Sequence, residues 1–432
     1  MNVLIFGLGL NQGGAGSAKF FAKQEAKVRV TDLKDKYILK PSLDQLKDFP
    51  NIEYTLGEHK YEDIDWANLV IKNPAVKPEN PYMKYALKKG KRVEQDMGIF
   101  LDFVKPEQII GITGTKGKST TASLIYEVLK QSDKNAVLAG NIGTSVLENI
   151  PQITPDTLVI LEISSFQLES FDQHKVSPKW AVITNITEDH LNYYISMDEY
   201  VNAKRIIGKY QAGDDSLFIR KNDPIVGKPK FLRGFKAKII RFSKTDLPED
   251  FHPNLLGEHN LENISAALAV CKAFGISEKK ILAFTATFKG VHFRLELVKI
   301  WNGVKIINDT TSTGPDAGIK ALQTFPGCIL ICGGMNKGLD YSKYSEAAQK
   351  YAKAIFFLEG DVFKLIRTYK PGLKVQTFGP YNDLEKLLKD VKSIAKPDDT
   401  ILFSPAATSF NLFQNEFDRG RQFNKAVEKI FK

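Results

Sequence analysis

The stretch GITGTKGKSTTASLIYEVLK, residues 111–130, constrains the fold of this chain more than any other. Ile109 and Ile110 end an apolar run that reads as a buried strand, and beyond Thr120 the apolar Leu124, Ile125, Val128 and Leu129 recur at helical spacing. A glycine-rich turn that opens a helix in this way is an anion cradle. Backbone N–H groups and the positive end of the helix converge on a phosphate, Lys118 adds a charge, and Ser119 offers a hydroxyl to Mg²⁺. The usual spacing asks for glycine at 112, where the chain has Ile112. The blander reading, in which Gly114 and Gly117 only shape a turn and Lys118 is solvated, is disfavoured by the strand before and the helix after.

A phosphate cradle needs a cation opposite it, because polyphosphate charge must be neutralised before a nucleophile approaches. Glu162 closes the apolar run LVILE, where a Walker-type acid ends its strand, and His190 follows WAVIT in NITEDHLN. Taken singly, Glu162 reads equally well as a solvated carboxylate and His190 as a capping or surface residue. Their shared place at strand ends beside the turn favours metal ligation.

The rest of the chain extends this pattern. The first ninety residues alternate strand-like runs (NVLIFGLG, KVRVTD, LVIKNPAV) with polar or helical stretches, the βαβ signature of a parallel sheet. Their first turn, GLGLNQGGAG, gives Gly7 and Gly9 and then Gly13, one place later than a dinucleotide fingerprint requires; Asp32 ends the second strand, where an acid commonly reaches a ribose. From about 107 the alternation restarts with the phosphate turn, and past about 293 a third set follows: KIINDTTSTGPDAGIKAL, CILICGGMNKGLD, AIFFLEG and TILFSPAATSFNLF. The stretch 212–256, rich in Lys, Gly and Pro, predicts short strands and turns. The expectation is an α/β protein of three modules: an N-terminal Rossmann-like domain (1–92), a central P-loop ATPase-like domain with a mostly parallel sheet (93–291) and a C-terminal Rossmann-like domain (292–432).

Composition narrows the partners. The net charge of +10 suits nucleic acid or anionic small molecules, but the lysines are scattered, so a solvated surface explains most of them and no nucleic-acid partner is expected. The chain opens directly into a strand without a basic leader, and no apolar run approaches the ~20 residues that cross a bilayer, so a cytoplasmic protein without membrane insertion is expected. Cys328 and Cys332 share a strand face too far apart for a disulfide; with the lone Cys271 they read as buried hydrophobes.

The motifs GTKGKST, EISSFQLE, NITEDH, GEHNLEN, NDTTST and FSPAATSF occur in the order, and close to the spacings, of the Mur ligases, and the chain resembles that family from residue 3 to about 425. The resemblance implies an ATP- and Mg²⁺-dependent ligase. ATP would phosphorylate the terminal carboxylate of UDP-N-acetylmuramoyl-L-alanine, and the amine of D-glutamate would displace the phosphate. It further implies roles for single residues. Gly114, Thr115, Lys116, Gly117, Lys118, Ser119 and Thr120 would hold the phosphates, Asn260 and Asn263 the adenine side, Asp309 the ribose, and Arg294 would reach toward the phosphates. Ser119, Glu162 and His190 would ligate Mg²⁺, and Lys118, Glu162, His190 and Lys204 would carry the chemistry. Asn11, Asp32, Lys34 and Asn141 would bind the uridine-diphosphate sugar; Thr313, Lys337 and Ser409 would bind the amino acid. From physics alone Asn260 and Asn263 read equally as helix caps. Lys204, in YVNAKRII, falls where similar ligases carry a carbamylated lysine able to ligate a second Mg²⁺, although by residue type a helical lysine belongs on the surface.

Four places depart from the family pattern. Thr311 stands where a lysine is usual, Glu416 where an aromatic residue is common, and in GVHFRLE the His-Arg pair is split, with His292 one place early. Lys34 replaces a frequent arginine, losing bidentate phosphate binding. Alternatives are therefore a Mur-type ligase for a different amino acid, a nicotinamide-dependent oxidoreductase suggested by Gly7, Gly9 and Asp32, or a nucleotide-driven switch. The oxidoreductase leaves the 111–120 turn unexplained, since hydride transfer needs no Mg²⁺, and a switch leaves the third module without purpose. The ligase is expected to act as a monomer, with its last module swinging in to complete the site.

Overall fold

The computed structural model describes residues 1–10, 12–140, 145–189, 193–255, 257–336, 339–369, 375–409 and 412–432, with residues 12 and 369 described by backbone only. Asn11, Asn141, His190 and Lys337, all singled out above, lie outside these. The described residues form an α/β fold with three sheets, and the chain divides into two compact units: Met1–Pro253 with Glu258–Phe288, and Asn254–Gly257 with Lys289–Lys432.

The first unit holds two sheets. β1 (Asn2–Phe6), β2 (Lys27–Asp32), β3 (Glu53–Leu56), β4 (Leu69–Lys72) and β5 (Arg92–Glu94) pair in parallel in the order β3-β2-β1-β4-β5. β6 (Ile109–Thr113), β7 (Ala136–Gly140), β8 (Leu158–Glu162), β9 (Trp180–Ile183), β10 (Ser216–Arg220) and β11 (Lys238–Phe242) form a second parallel sheet, β11-β10-β9-β6-β8-β7. Strands covered by helices on both faces must be apolar along their length, and β6 is buried at every position. The stretch 212–256 supplies the last two strands of this sheet. One apolar core runs through both sheets' modules, from Val3, Ile5 and Phe21 to Phe100, Leu147, Val159 and Leu217.

The second unit carries β12 (Glu296–Trp301), β13 (Val304–Asn308), β14 (Cys328–Gly333), β15 (Ala352–Leu358), β16 (Gln376–Tyr381) and β17 (Thr400–Phe403), ordered β12-β13-β17-β14-β15-β16. The edge strand β12 is antiparallel to β13 across a short Asn302-Gly303 turn, a hairpin the sequence reading had merged into the start of the module. Cys271, Cys328 and Cys332 are buried and free, in agreement with their reading as hydrophobes. Among the described residues no helix is long and apolar enough to cross a membrane.

Candidate active site

In a doubly wound sheet ligands gather outside the carboxyl ends of strands where the order reverses. β6 lies between β9 and β8, at such a reversal, and the predicted phosphate turn leaves its carboxyl end. Gly114 takes φ +144 and Gly117 φ +84, and Gly117 directly precedes the helix Lys118–Lys130. Neighbouring strands brace the turn. Thr184, just past β9, donates its hydroxyl to the Lys116 carbonyl at 2.7 Å; Asn185 accepts from Lys116 N at 2.9 Å and donates to the same carbonyl at 2.9 Å. Thr115 meets the hydroxyl of Tyr200 at 3.1 Å. The Lys118 ammonium folds over the turn, donating to the carbonyls of Gly114 and Thr115 at 3.1 Å each, so it is a constituent of the loop and not a solvated lysine.

Glu162 ends β8 opposite Ile112, on the strand beside the one that feeds the loop. It is 1% exposed, and its Oε2 has no hydrogen-bond partner among the described residues. This overturns the solvated-carboxylate alternative. An orphaned buried carboxylate oxygen, with the buried Ser119 in the first turn of the helix Lys118–Lys130 that follows the loop, fits a hard cation that takes oxygen ligands. Among the described residues no group of three His, Cys, Asp or Glu side chains forms a metal cluster, and His190 lies outside them.

Lys204 corrects the sequence expectation most sharply. It is 1% exposed, not a surface lysine, and donates to the Gly114 carbonyl at 2.9 Å. The helix Met197–Lys209 turns this residue inward under the loop, where burial and the neighbouring Lys118 charge hold its ammonium well below the usual lysine range. Residue type argued for the surface; tertiary position decided otherwise.

Asn260 and Asn263 lie inside the helix His259–Ala273, whose N-cap is Glu258, so neither is a cap. Both are buried, Asn263 donates to Asn260 Oδ1 at 2.8 Å, and the Asn263 carbonyl stands against Gly117. A cavity of about 50 Å³ opens there, walled by Lys116, Gly117, Asn185, Phe242 and Asn263. Asn263 thus joins Asn260 to the Gly117 end of the loop at one edge of the unit.

At the carboxyl end of β2, Asp32 is buried and accepts from the backbone of Gly9 at 2.8 Å and of Lys34 at 2.9 Å, while the Lys34 side chain is exposed. Asp32 therefore shapes the first glycine turn. The extra residue in that turn shifts the close approach to Gly14, where a Cβ would meet the Leu8 carbonyl at 2.3 Å. A separate cleft of about 630 Å³ lies where this module meets the central one, walled by Lys77, Glu79, Phe166, Glu169, Tyr193 and Tyr194 among others.

In the second unit, Asp309 leaves β13 and accepts from Ser404 Oγ at 2.8 Å and from the Leu295 backbone at 3.2 Å; burial pushes its carboxyl up to about 7. Arg294 is exposed, and Thr313 is half-buried. Ser409 is buried with a hydroxyl that has no partner among the described residues. Thr311, in place of a lysine, donates to the Phe293 carbonyl at 2.8 Å.

Sequence reasoning missed Arg419, Lys72 and Gln95. Arg419 is fully buried and donates to Thr310 Oγ1 at 2.9 Å, the Ala407 carbonyl at 3.0 Å and the Thr310 carbonyl at 2.7 Å, tying together the loops after β13 and β17. Lys72 carried a readable signal, a cation closing the apolar run LVIK.

Comparison with known proteins agrees with this architecture. Residues 112–271 match the Mur ligase middle domain, and residues 1–95 match the Mur ligase MurD-like N-terminal domain. The UDP-N-acetylmuramoylalanine–D-glutamate ligase of Roseiflexus sp. (strain RS-1) is 36% identical, covering 99% of this chain and 98% of the relative. The proteins of that name from Borreliella afzelii (strain PKo) and Clostridioides difficile (strain 630) are 37% and 33% identical over 100% and 98% of this chain, and 98% of each relative. Among solved structures, the UDP-N-acetylmuramate-alanine ligase MurC of Thermotoga maritima superposes with a TM-score of 0.63 at 20% identity, covering 99% of both chains. The MurF ligase of Thermotoga maritima in complex with ADP gives 0.54 at 17% identity, covering 93% of this chain and 95% of that one.

Proposed function

Because the chain belongs to the Mur ligase family, we propose that it is an ATP-dependent amide ligase that adds D-glutamate to UDP-N-acetylmuramoyl-L-alanine in peptidoglycan precursor synthesis. The observation that carries this reading is the phosphate loop with an orphaned buried carboxylate on the adjoining strand, in a chain matched along its length by ligases of that name.

A carboxylate is a poor electrophile until one of its oxygens becomes a leaving group. The terminal carboxylate oxygen attacks the γ-phosphorus of ATP, forming an acyl phosphate and releasing ADP; the amine of D-glutamate then attacks the acyl carbon, loses a proton and expels phosphate. The amides of the Gly114–Thr120 turn and the Lys118 ammonium hold the phosphoryl charge, fixed before reaction by the Thr184 and Asn185 braces. Ser119 and Glu162, with His190, are assigned to Mg²⁺, which when bound neutralises the polyphosphate. Lys204 is assigned a carbamyl group; its burial beside Lys118 favours an uncharged amine, the form that adds carbon dioxide. Thr115, Lys116, Asn260 and Asn263 complete the nucleotide edge, and in the second unit Asp309 and Arg294 are assigned to ATP by the resemblance. Asn11, Asp32, Lys34 and Asn141 are assigned to the sugar nucleotide, and Thr313, Lys337 and Ser409 to the amino acid.

The corresponding domains are residues 1–92, 93–291 and 292–432. A cytoplasmic place accords with the use of ATP and a nucleotide sugar, and a monomer suffices because no step calls on a second copy. One observation favours a related ligase with another amino acid: Thr311 spends its hydroxyl on a backbone carbonyl and offers no cation to a dicarboxylic substrate.

The test is product mass after incubating the chain with ATP, UDP-N-acetylmuramoyl-L-alanine and single D- or L-amino acids. Phosphate release that needs all three substrates, with D-glutamate in the product, is expected. Release with ATP alone would overturn the ligase reading, and a product with a different amino acid would select the alternative.

A further inference from the structure

The motif SSFQLE contains an acid for which the scheme above has no use. Glu169 sits one residue into the helix Leu168–His174 of the central module, and its Oε2 accepts at 2.9 Å from Nζ of Lys72, which ends β4, and at 3.1 Å from Nε2 of Gln95, just past β5, both strands of the first sheet. Lys72, 4% exposed, also donates to the Val76 carbonyl at 3.0 Å; Gln95, 2% exposed, also donates to the Phe166 carbonyl at 3.0 Å. The same short helix docks twice more on the strand β5: Gln173 donates to the Val93 carbonyl at 3.0 Å, and the His174 ring lies 3.3 Å from the Glu94 carboxylate.

The position of this node is what gives it meaning. Lys72 is the last residue of β4, at the crevice of the first sheet. Glu169 is seven residues beyond Glu162, the last residue of β8. The intervening turn is rigid, since the Ser164 backbone and hydroxyl meet Gln167 Oε1 at 3.0 Å and Gln167 N returns to Ser164 Oγ at 3.3 Å. The half-buried Glu169 and the braced turn before it therefore connect the crevice of the first module to the strand end beside the phosphate loop, and Glu169 and Phe166 form part of one wall of the 630 Å³ cleft.

We propose that Glu169 is a positioning residue whose pair with Lys72, reinforced by Gln95, sets the distance between the sugar-nucleotide crevice and the phosphate loop; the assignment of those two half-sites rests on the ligase reading above. A substrate that spans both must match that distance, so loosening the node weakens its binding while ATP, none of whose assigned contacts lies on the first sheet, is unaffected.

The experiment compares Glu169→Ala, Glu169→Gln and Lys72→Met with the Lys72→Met/Glu169→Ala double variant, all in the full chain. For Glu169→Ala the KM for UDP-N-acetylmuramoyl-L-alanine is expected to rise about tenfold, with the KM for ATP changed less than about twofold. Glu169→Gln, which keeps an acceptor, should recover part of the loss, and the double variant should be no worse than the worse single variant. Equal rises in both KM values, or no rise in either, would overturn the proposal. Amide exchange in residues 168–174, read by mass spectrometry without any substrate, should quicken in Glu169→Ala; unchanged exchange would also overturn it. If the wild-type chain fails to bind the muramoyl nucleotide in calorimetry while that exchange still quickens, the ligase reading fails and the node stands as the link between modules.

Discussion

At the scale of single residues, the loop leaves little freedom at Gly117. Its φ of +84 strains any L side chain, and a Cβ there would lie 2.3 Å from Asn263 Oδ1. Gly117→Ala therefore combines about 1–2 kcal/mol of backbone strain with displacement of a buried asparagine. ATP affinity, measured by calorimetry, should fall more than about tenfold. Lys118→Ala should leave the fold intact and lower kcat by about 10²–10³, the usual cost of losing one preorganised charge at a transferring group; unchanged turnover would remove the phosphate loop from the mechanism. Asp309 makes a prediction in pH. An aspartate in the unfolded chain titrates near ~3.9, whereas in the fold this carboxyl is pushed up to about 7 by burial. Between those values the folded state binds more protons, so its contribution to stability falls as pH rises through about 7. Asp309→Asn removes that dependence. Urea denaturation at about pH 5 and about pH 8 should show the variant gaining on the wild type at the higher pH; an equal difference at both would contradict the burial argument.

Elements are held to one another here by small hydroxyls at strand ends. Thr184 Oγ1 reaches the Lys116 carbonyl at 2.7 Å and the Thr113 carbonyl at 3.3 Å, so one side chain joins β9 to both ends of the turn. Thr184→Val keeps the shape and removes the donor, at a cost of about 0.5–1.5 kcal/mol, because the Lys116 carbonyl keeps Asn185 and the Thr113 carbonyl keeps the Thr184 backbone N–H. The midpoint of urea unfolding should drop with an unchanged slope, and the KM for ATP should rise; an unchanged KM would show that the brace is not needed to preorganise the loop. The loop itself was legible in the sequence because its chemistry is local: glycines, a lysine and a hydroxyl residue sit within seven positions of one another. Strand runs were legible for a similar reason, since two-sided burial makes them continuously apolar. The order of those strands was not, because β6 is flanked by β8 and β9, neither adjacent to it in sequence, and no local pattern encodes that insertion. The β12 hairpin escaped notice because an edge strand alternates weakly, with Leu297 and Ile300 exposed. The burial of Lys204 was illegible for a third reason. A lysine's burial is set by what packs over it, and residue type argues only for the average case.

For the whole molecule, the two units differ in how their cores are shared. The apolar clusters of the second unit draw their described members only from its own residues, from Leu295 and Ile307 to Phe423 and Phe431. The core of the first unit instead runs unbroken from Val3 to Ala237. Its seam is close-packed: Val146 and Leu147 lie under the helix Gln12–Lys23, and a Cβ at Gly16 would stand 2.3 Å from Ser145 Cβ. Removing residues 1–92 would uncover those side chains and leave Glu169 without Lys72, at roughly 1.5–3 kcal/mol for each large apolar group newly exposed to water. A domain's independence follows from owning its core, so the two truncations should behave differently. The fragment 289–432 should be soluble and melt in one cooperative transition. The fragment 93–432 should bind a hydrophobic dye and lose the cooperative transition of the first unit. Cooperative melting of residues 93–288 without the first ninety-two would show that the continuous core is not what stabilises the central module, and failure of 289–432 to fold would show that the second unit depends on more than its own apolar clusters.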